Sequence, residues 1–584
     1  MLHTRLSSAL TVALALPIAA CGDDSGDSTD SAGSTGSTSG TGGTTDDPPA
    51  PTGSTSPDES ASGTSSESGT TDGAMPPTST SEPPPLTTGD TTTAGDTTTT
   101  GDTTTGDTTT TTGPDTTTTT TGDSTTTGDV GTTTTTTDST TTESTTGVEL
   151  DCSDGVAWTR NILTNAGSTM FDDLLADPDG NLLVVGRLWD VADFGGGPVP
   201  ASGGEDAFIA KYGPAGELLW VRTYGDEFEQ RARGIALAPD GDILVTGSFR
   251  GQIDLGGGPL ASAGYDDVFV ARLTPAGDHV WSQAFGGPGI DYGVRVASDS
   301  AGEVILAAQA DGGVDFGDGV PGPAGSVHLV KIGSTGDLLW HRTYTASGLL
   351  ARSVAVGPAD EVVFVGEFND PVDFGDGFEA ALNDHNVFVL KLDADGQFTW
   401  LRQNDGVPDG GKPFVTGVDL DAAGGIHLAG WYFGSIGFGG PLFVSQGEYD
   451  GWIATLSPEG EHLTSSAHGS GPTSWQFASD VAANSAGATA AAGNFVGPMS
   501  FDGDLLATID NAAYDAWVTR QAPDGSFELV RGFGGLGSHY GDVVEIGEDG
   551  AVWLGGVYNQ TFSAGDDVLT PAEGWSAYLL RLCP

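Results

Sequence analysis

From residue 150 onward the chain alternates short apolar runs with clusters of Gly, Pro, Asp and Asn, the pattern of brief β-strands joined by turns. One stretch shows the unit: RGIALA from Arg233, DILVTGSF from Asp242, DVFVARL from Asp267 and HVWSQAF from His279. Its second half, DVFVARLTPAGDHVWSQAFG, recurs as DAFIAKYGPAGELLWVRTYG at Asp206 and NVFVLKLDADGQFTWLRQND at Asn386. A more diverged copy, DAWVTRQAPDGSFELVRGFG, starts at Asp515.

The period is regular. Turn glycines Gly216, Gly277, Gly336, Gly396, Gly460 and Gly525 follow one another at intervals of 59 to 65 residues. Trp220, Trp281, Trp340 and Trp400 each stand four positions after such a glycine, and Thr464 and Leu529 replace the indole in the last two copies. The third strand carries an aromatic residue (Phe208, Phe269, Phe388, Trp452, Trp517, Tyr578), interrupted by His328. Three positions later comes a cation (Lys211, Arg272, Lys331, Lys391, Arg520, Arg581), interrupted by Thr455. Four short antiparallel strands repeated seven times predict an all-β fold, a seven-bladed β-propeller over residues 150–584.

The runs DAFIAK and DVFVAR, the turns PAGELLW and DADGQFTW, and the GSF or GEF after the second strand resemble the bacterial β-propeller repeats known as SBBP. The resemblance covers residues 152–584 and implies a propeller in an exported or surface protein, with no catalytic residues or cofactor to carry over. The first strand-like run holds Trp158, and the last is SAYLLRL from Ser576 to Leu582. One blade is therefore divided between the two ends of the chain, and pairing the N-terminal strand with the C-terminal blade closes the ring. Aligned with an intact copy, Cys152 and Cys583 both fall in the turn around Gly213, which predicts a disulfide at the break.

The region before residue 150 has a different composition. Met1–Ala20 carries Arg5 and an apolar run from Ala9 to Ala20, too short to span a bilayer, ending Ile18-Ala19-Ala20-Cys21. This resembles a bacterial lipobox, which implies cleavage before Cys21 and acylation of that cysteine. Residues 21–149 are rich in Thr, Ser, Gly and Asp and contain no Lys, Arg or aromatic residue, a composition that predicts a disordered linker. As a flexible coil it would span roughly 60–70 Å, enough to hold the folded part away from a membrane. The expected location is the cell envelope, at the outer membrane or surface. The lipid is the expected contact with membrane.

Net charge sharpens the choice of partners. The whole chain carries -61, and from residue 150 onward 59 acids face 18 bases. Such a surface repels nucleic acid. Its aspartates invite a calcium reading, but Asp177–Gly180 offers two acids and the corresponding copies at Ser300 and Ala422 offer almost none, so tight turns account for them better. The histidines stand singly, and no nucleophile, zinc or phosphate-loop motif occurs. No metal or cofactor is expected.

Loop lengths supply the remaining signal. Connections from second to third strand, and from fourth strand to the next copy, are the long ones, and alternation puts both on one face. That face carries aromatic residues that do not repeat: Trp189, Phe228, Tyr292, Phe414, Tyr432, Trp475, Phe477, His539 and Tyr540. Loops on a rigid scaffold are where binding residues concentrate. The expectation is a monomeric, non-catalytic binding or adhesion module for protein or polysaccharide. The alternatives are a hydrolase or lyase acting on a polysaccharide, or a passive surface structural protein.

Overall fold

The computed structural model describes residues 152–164, 169–379, 381–382, 385–405, 411–471, 474–509, 513–572 and 574–584; the leader, Cys21 and the linker lie outside the described residues. The fold is an all-β propeller of four-stranded antiparallel blades. In one blade Gln230–Leu237, Ile243–Phe249, Asp267–Leu273 and His279–Phe285 run in order from the innermost strand to the outermost. Equivalent sheets begin at Asp291, Leu350 and Lys412. A fifth begins at Trp475 and is extended to six strands by the hairpin of Phe562–Ala564 and Asp567–Leu569.

The expected count of seven separate blades is corrected here: five stand as sheets of their own, and the remaining strands form one eight-stranded sheet. The reason is the length of two strands. Val156–Thr164 pairs along Ser576–Leu582 and then runs on, so that Leu163 and Thr164 pair with Asp193 and Ala192 of Leu182–Asp193. The N-terminal strand thereby bonds the C-terminal strands on one side and the first full set of strands on the other. The innermost strands Thr169–Ala176, Gln230–Leu237, Asp291–Ser298, Leu350–Val356, Lys412–Leu420, Trp475–Ala483 and Val543–Ile546 neighbour one another in chain order, and the last neighbours the first. They surround a central channel.

The recurring residues join each set of strands to the next. The indole of Trp340 donates to the carbonyl of Ala394 in the next turn (3.1 Å), as Trp158 does to Pro214 (3.0 Å) and Trp400 to Pro458 (3.2 Å). Beneath that indole the turn must lack a side chain. A Cβ on Gly396 would lie 2.9 Å from Trp340 Cδ2, and the residue sits at φ +71°. In five copies the third-strand cation pairs with the acid of its own first turn, as Lys211 does with Asp177 (2.8 Å) and Arg272 with Asp240 and Asp242 (2.6 and 2.7 Å); Arg520 pairs instead with Glu528 (3.2 Å). Asp193, Asp254, Asp315 and Asp373 each accept the N–H groups two and four residues on, which fixes the D-F/L-G-x-G turns. The aspartates that invited calcium are therefore turn and ion-pair residues. Among the described residues no group of three His, Cys, Asp or Glu side chains is placed to hold a metal ion.

Cys152 and Cys583 are disulfide-bonded with their Cα atoms 6.1 Å apart and a separation of 431 positions in sequence. The turn beside the bond repeats the intact one: Gly155 N–H donates to Cys152 O (3.1 Å) as Gly216 N–H does to Gly213 O (2.8 Å). In the intact copy a peptide bond continues the chain at this point; here the sulfur bridge does.

Two measurements check these contacts. Unreduced native protein should expose neither Cys152 nor Cys583 to alkylation, and Cys583→Ser should lower unfolding free energy by about 2–5 kcal/mol; ready alkylation of both thiols would refute the bond. Gly396→Ala should destabilise by about 1–3 kcal/mol more than Gly325→Ala, because both have positive φ (+71° and +69°) but only the first meets an indole.

Candidate functional site

Six of the innermost strands carry a β-bulge at the same level, between Phe171 and Asp173, Ala232 and Gly234, Gly293 and Arg295, Ala351 and Ser353, Val415 and Gly417, and Ala478 and Asp480. An extra residue re-aims the side chains that follow it. Asp173, Arg295 and Asp480 follow the bulge directly, with Asp419 and Glu545 one level deeper, and all five line a cavity of about 710 Å³ in the channel. The aspartates tie neighbouring strands together. Asp173 accepts from its own Leu174 N–H (3.1 Å) and from Ile235 N–H of the next strand (2.9 Å). Asp419 does the same with Leu420 and Ala483 (2.8 Å each), and Asp480 with Val481 (2.9 Å) and Val544 (3.0 Å).

Burial in the channel disfavours their charged forms. It pushes Asp419 up to about 6 and Asp480 to about 7, raises Asp173 despite Arg295 Nε 3.9 Å away, and holds Glu545 well above the ordinary glutamate range. Asp173, Asp419 and Asp480 act as structural ties first, with their amide bonds already made.

A second group of side chains lies at the long-loop end of the inner strands. The two classes of long loop do share a face: Asp291 N–H donates to Asp266 O (2.7 Å), and Gln476 N–H to Tyr449 O (2.9 Å). On one side of the mouth aromatic rings form a continuous arc. Phe414 stacks on Trp431 at 3.7 Å, and Trp431 meets Phe477 (5.4 Å) and Tyr449 (5.2 Å) edge-on. Phe477 approaches Tyr514 (6.4 Å), Tyr514 approaches Tyr540 (5.3 Å), and Tyr540 approaches Trp575 (5.6 Å). Phe414, Trp431, Tyr449, Phe477 and Trp575 remain half-buried, whereas Tyr514 and Tyr540, between Phe477 and Trp575, are buried.

The third strands position this arc. Trp452 Nε1 donates to Phe414 O (3.1 Å), Trp517 Nε1 to Phe477 O (3.0 Å) and Tyr578 Oη to Tyr540 O (2.8 Å). The other copies place Phe or His at the same position. The three that carry a polar-tipped ring there are the three whose inner strands present an aromatic to the arc.

Across the mouth the corresponding residues are charged. Glu205 lies between Arg187 (3.7 Å) and Arg231 (2.5 Å), and Asp172 is 3.5 Å from Arg187. Glu367 accepts from both Arg352 (3.0 Å) and His385 (3.1 Å), and its buried carboxyl is held below the ordinary range by the Arg352 guanidinium and by the hydrogen bond with His385. Arg233 Cζ lies 4.9 Å from the Tyr292 ring. Asp542 stands where the arc meets this charged side; burial and the nearby Asp172 push it up to about 7. The mouth is thus half aromatic and half ionic.

Of the residues expected on the binding face, the structure brings Phe414, Phe477 and Tyr540 into the arc, sets Trp475 beside it (6.2 Å from Tyr514), and puts Tyr292 on the charged side. Trp189 and Phe228 are exposed, 51% and 44%. Two assignments to the face are corrected. Tyr432 is buried within an apolar cluster with Trp452 and Phe438. His539 is fully buried, bonded to Asp515 Oδ1 (3.0 Å) and Thr561 O (2.8 Å), because its ring fills the gap against Phe562. The sequence reading missed Trp431, Tyr449, Tyr514, Trp575, Arg231 and Arg233. Tyr449, Tyr514 and Trp575 directly precede the repeating Asp or Ser of the third strand, so aligning that position across copies would have found them.

A histidine relay also escaped the sequence. Ser326 Oγ, His328, His341 and Asp318 are linked at 2.7, 2.8 and 2.9 Å. Ser326 and His328 are fully buried, so the serine reaches no substrate, and burial drops His328 to about 3.

No family model matches the chain. A curated protein, the uncharacterized WD repeat-containing protein L264 of Acanthamoeba polyphaga mimivirus, is 24% identical over 153 residues. That match covers 22% of this chain and 11% of the viral protein, so the chain spans about a tenth of that relative's length. Among solved structures, the Pan2 WD40 domain of Neurospora crassa is similar at TM-score 0.34 and 10% identity, over 72% of this chain and 89% of that one. A virginiamycin B lyase from Staphylococcus aureus gives 0.33 and 10%, over 72% and 98%. A polysaccharide lyase, ulvan lyase, gives 0.38 and 12%, over 71% and 97%. At these TM-scores the likenesses carry no argument about what the chain does.

The channel acids give a pH signature. Folded Asp419, Asp480 and Asp542 hold their protons to about 6, 7 and 7, against 3.8 for the free side chain, so the folded chain binds more protons across that window. Stability therefore rises as pH falls through it. His328 and His468, lowered to about 3 and 4 by burial, and His427, also lowered by burial, pull the other way below 6.5 but are outnumbered once Asp267 and Glu545, both raised by burial, are added to the acids. The melting midpoint should increase from about pH 7.5 to about pH 5.5 and drop below about pH 4, where paired Asp177, Asp299 and Glu361 protonate. Calorimetry across that range, with Asp480→Asn reducing the rise, is the check; a midpoint falling steadily from 7.5 to 5.5 would contradict it.

Proposed function

We propose that this chain is an exported, lipid-anchored binding protein of the SBBP propeller type, held off the membrane by its Thr-rich linker and taking a polysaccharide at the long-loop mouth of the channel. On this reading the eight-stranded sheet is two blades fused at the seam of a seven-bladed ring. Cys21 carries the lipid at the outer membrane or cell surface.

The observation that carries the ligand assignment is the aromatic arc from Phe414 to Trp575 facing a row of guanidinium–carboxylate pairs. Flat apolar rings suit the faces of sugar rings. Bidentate ionic groups beside them suit the hydroxyls at sugar edges, being strong donors and acceptors already fixed in place. The third-strand rings fix the backbone of Phe414, Phe477 and Tyr540 by hydrogen bonds, so the arc is held in place before a ligand arrives.

A catalytic reading has one observation in its favour. Asp542, near neutrality at about 7, stands beside the arc with no hydrogen bond from its carboxyl group among the described residues, as a general acid would. Product analysis separates the two readings.

The test uses the chain with Cys21→Ser for solubility, screened against cell-wall and capsular polysaccharides and a protein array. Saturable polysaccharide binding is expected, weakened about tenfold by Trp431→Ala and by Trp575→Ala, but not by Leu219→Ala on the outer edge. Release of shortened sugar chains, lost in Asp542→Asn, would replace the binding role with catalysis. Binding confined to the protein array would replace polysaccharide with protein.

A further inference from the structure

Six cationic side chains are buried among the described residues: Lys211, Arg233, Arg272, Lys331, Lys391 and Arg581. Five occupy the repeating third-strand position. Each of those has a carboxylate against it: Asp177 at 2.8 Å, Asp240 at 2.6 Å, Asp299 at 2.7 Å, Glu361 at 3.0 Å and Asp549 at 2.8 Å respectively. Arg233 is the exception. It is 7% exposed, its Nε has no hydrogen-bond partner, and no described carboxylate lies within 4.0 Å of its guanidinium.

Its position is not one the fold requires to be basic. Arg233 is the extra residue of its inner-strand bulge, and the same place elsewhere holds Asp172, Val294, Arg352, Thr416 and Ser479. Arg352 shows what the site does with its own counter-ion: Glu367 grips it through both oxygens, at 3.1 and 3.0 Å. Arg233 instead has the Tyr292 ring 4.9 Å from its Cζ, and Asp172 is the acid whose charge most favours its protonated form. Asp172 is turned to Arg187 at 3.5 Å, and its Oδ2 is itself without a partner. Burial and the neighbouring Arg187 lower Arg233 to about 10, which still leaves it charged at neutral pH.

A buried charge with no counter-ion costs several kcal/mol, whereas a desolvated guanidinium meeting an anion through two N–H groups makes one of the stronger contacts available to a protein. A neutral hydroxyl would satisfy Nε but leave the charge uncompensated. The chain's net charge of -61 opposes the approach of any polyanion. An acidic ligand here consequently needs a local cation held ready. We propose that Arg233 anchors an anionic substituent, a carboxylate or sulfate ester, on an acidic polysaccharide whose neighbouring ring surfaces lie on the aromatic arc. This rests on the polysaccharide reading above and names its substrate class.

The experiment pairs oligosaccharides that differ only in charge: oligogalacturonides against their methyl esters, and sulfated against desulfated galactan fragments, titrated calorimetrically into the Cys21→Ser chain. At least one acidic form should bind tenfold or more tightly than its neutral counterpart, and Arg233→Gln should reduce that affinity to the neutral level. Without ligand, Arg233→Gln should also raise the melting midpoint, because it removes an uncompensated buried charge; a structural arginine would lower it. Equal affinity for acidic and neutral forms, a lower midpoint for Arg233→Gln, or preference for an acidic peptide overturns the proposal while leaving polysaccharide binding open. Failure of every saccharide to bind overturns the polysaccharide reading, and this one with it.

Discussion

Each sheet in this protein is too thin to bury its own faces, so its apolar surface is covered only by the sheets on either side. The clusters show this directly: Leu183, Val185 and Ile209 of one set pack with Ile243, Val245 and Phe269 of the next. Stability thus resides between sets of strands, and every set depends on having two neighbours. That makes closure of the ring the governing constraint. An open ring would expose two apolar sheet faces, and the place where it would open is between its first strand, Val156–Thr164, and its last, Ser576–Leu582. Val156–Thr164 meets this demand by hydrogen-bonding Ser576–Leu582, and the Cys152–Cys583 bond holds the two ends where no peptide bond can. The same strand then reaches Leu182–Asp193, which is why the seam reads as one continuous sheet.

Inter-sheet contact also explains what repeats. An indole on the outer strand needs a glycine opposite it, and a buried cation needs an acid in the turn beside it. Both halves of each pair must recur together. Where one half is lost, the structure substitutes. Thr455 replaces the cation, and the acid Asp421 is bonded by His427 Nε2 at 3.1 Å, with Thr489 Oγ1 on the other ring nitrogen at 2.8 Å. Such substitution leaves the packing intact. Arg233 is informative because no substitution has occurred: a buried cation outside the repeat has been left without its acid.

These pairings were legible in the sequence because period exposes them. Glycine and tryptophan at fixed separation, a cation three residues after an aromatic, and two cysteines aligned to one turn all follow from comparing copies. The separation of residues at the mouth from residues in the wall was only partly legible. Counting non-repeating aromatics found Phe414, Phe477 and Tyr540, but it also took in Tyr432 and His539, whose side chains point into the wall. Along a strand, adjacent positions face opposite ways, so a residue next to a mouth residue has the same composition signal and the opposite environment. The bulge shifts that alternation by one, and nothing in these short runs marks where it falls. Trp431 and Arg233 were missed for this reason.

The bulges connect wall and mouth. A regular inner strand would present one set of alternating side chains to the channel from end to end. With the bulge, the residue before it, the inserted residue and the one after it take three different directions. The channel can then carry Asp173 and Asp480 as ties to neighbouring strands, while the inserted Asp172, Arg233 and Arg352 turn toward the ionic side of the mouth. Scaffold and site lie two or three residues apart on a single strand without sharing an environment. The third-strand Trp452, Trp517 and Tyr578 complete the device by fixing the carbonyls of Phe414, Phe477 and Tyr540. Residues that repeat for packing therefore also set the geometry of residues that do not repeat, and a change of Phe to Trp in the wall is registered as a change in the arc. That coupling lets one closed scaffold vary its mouth without reopening the ring.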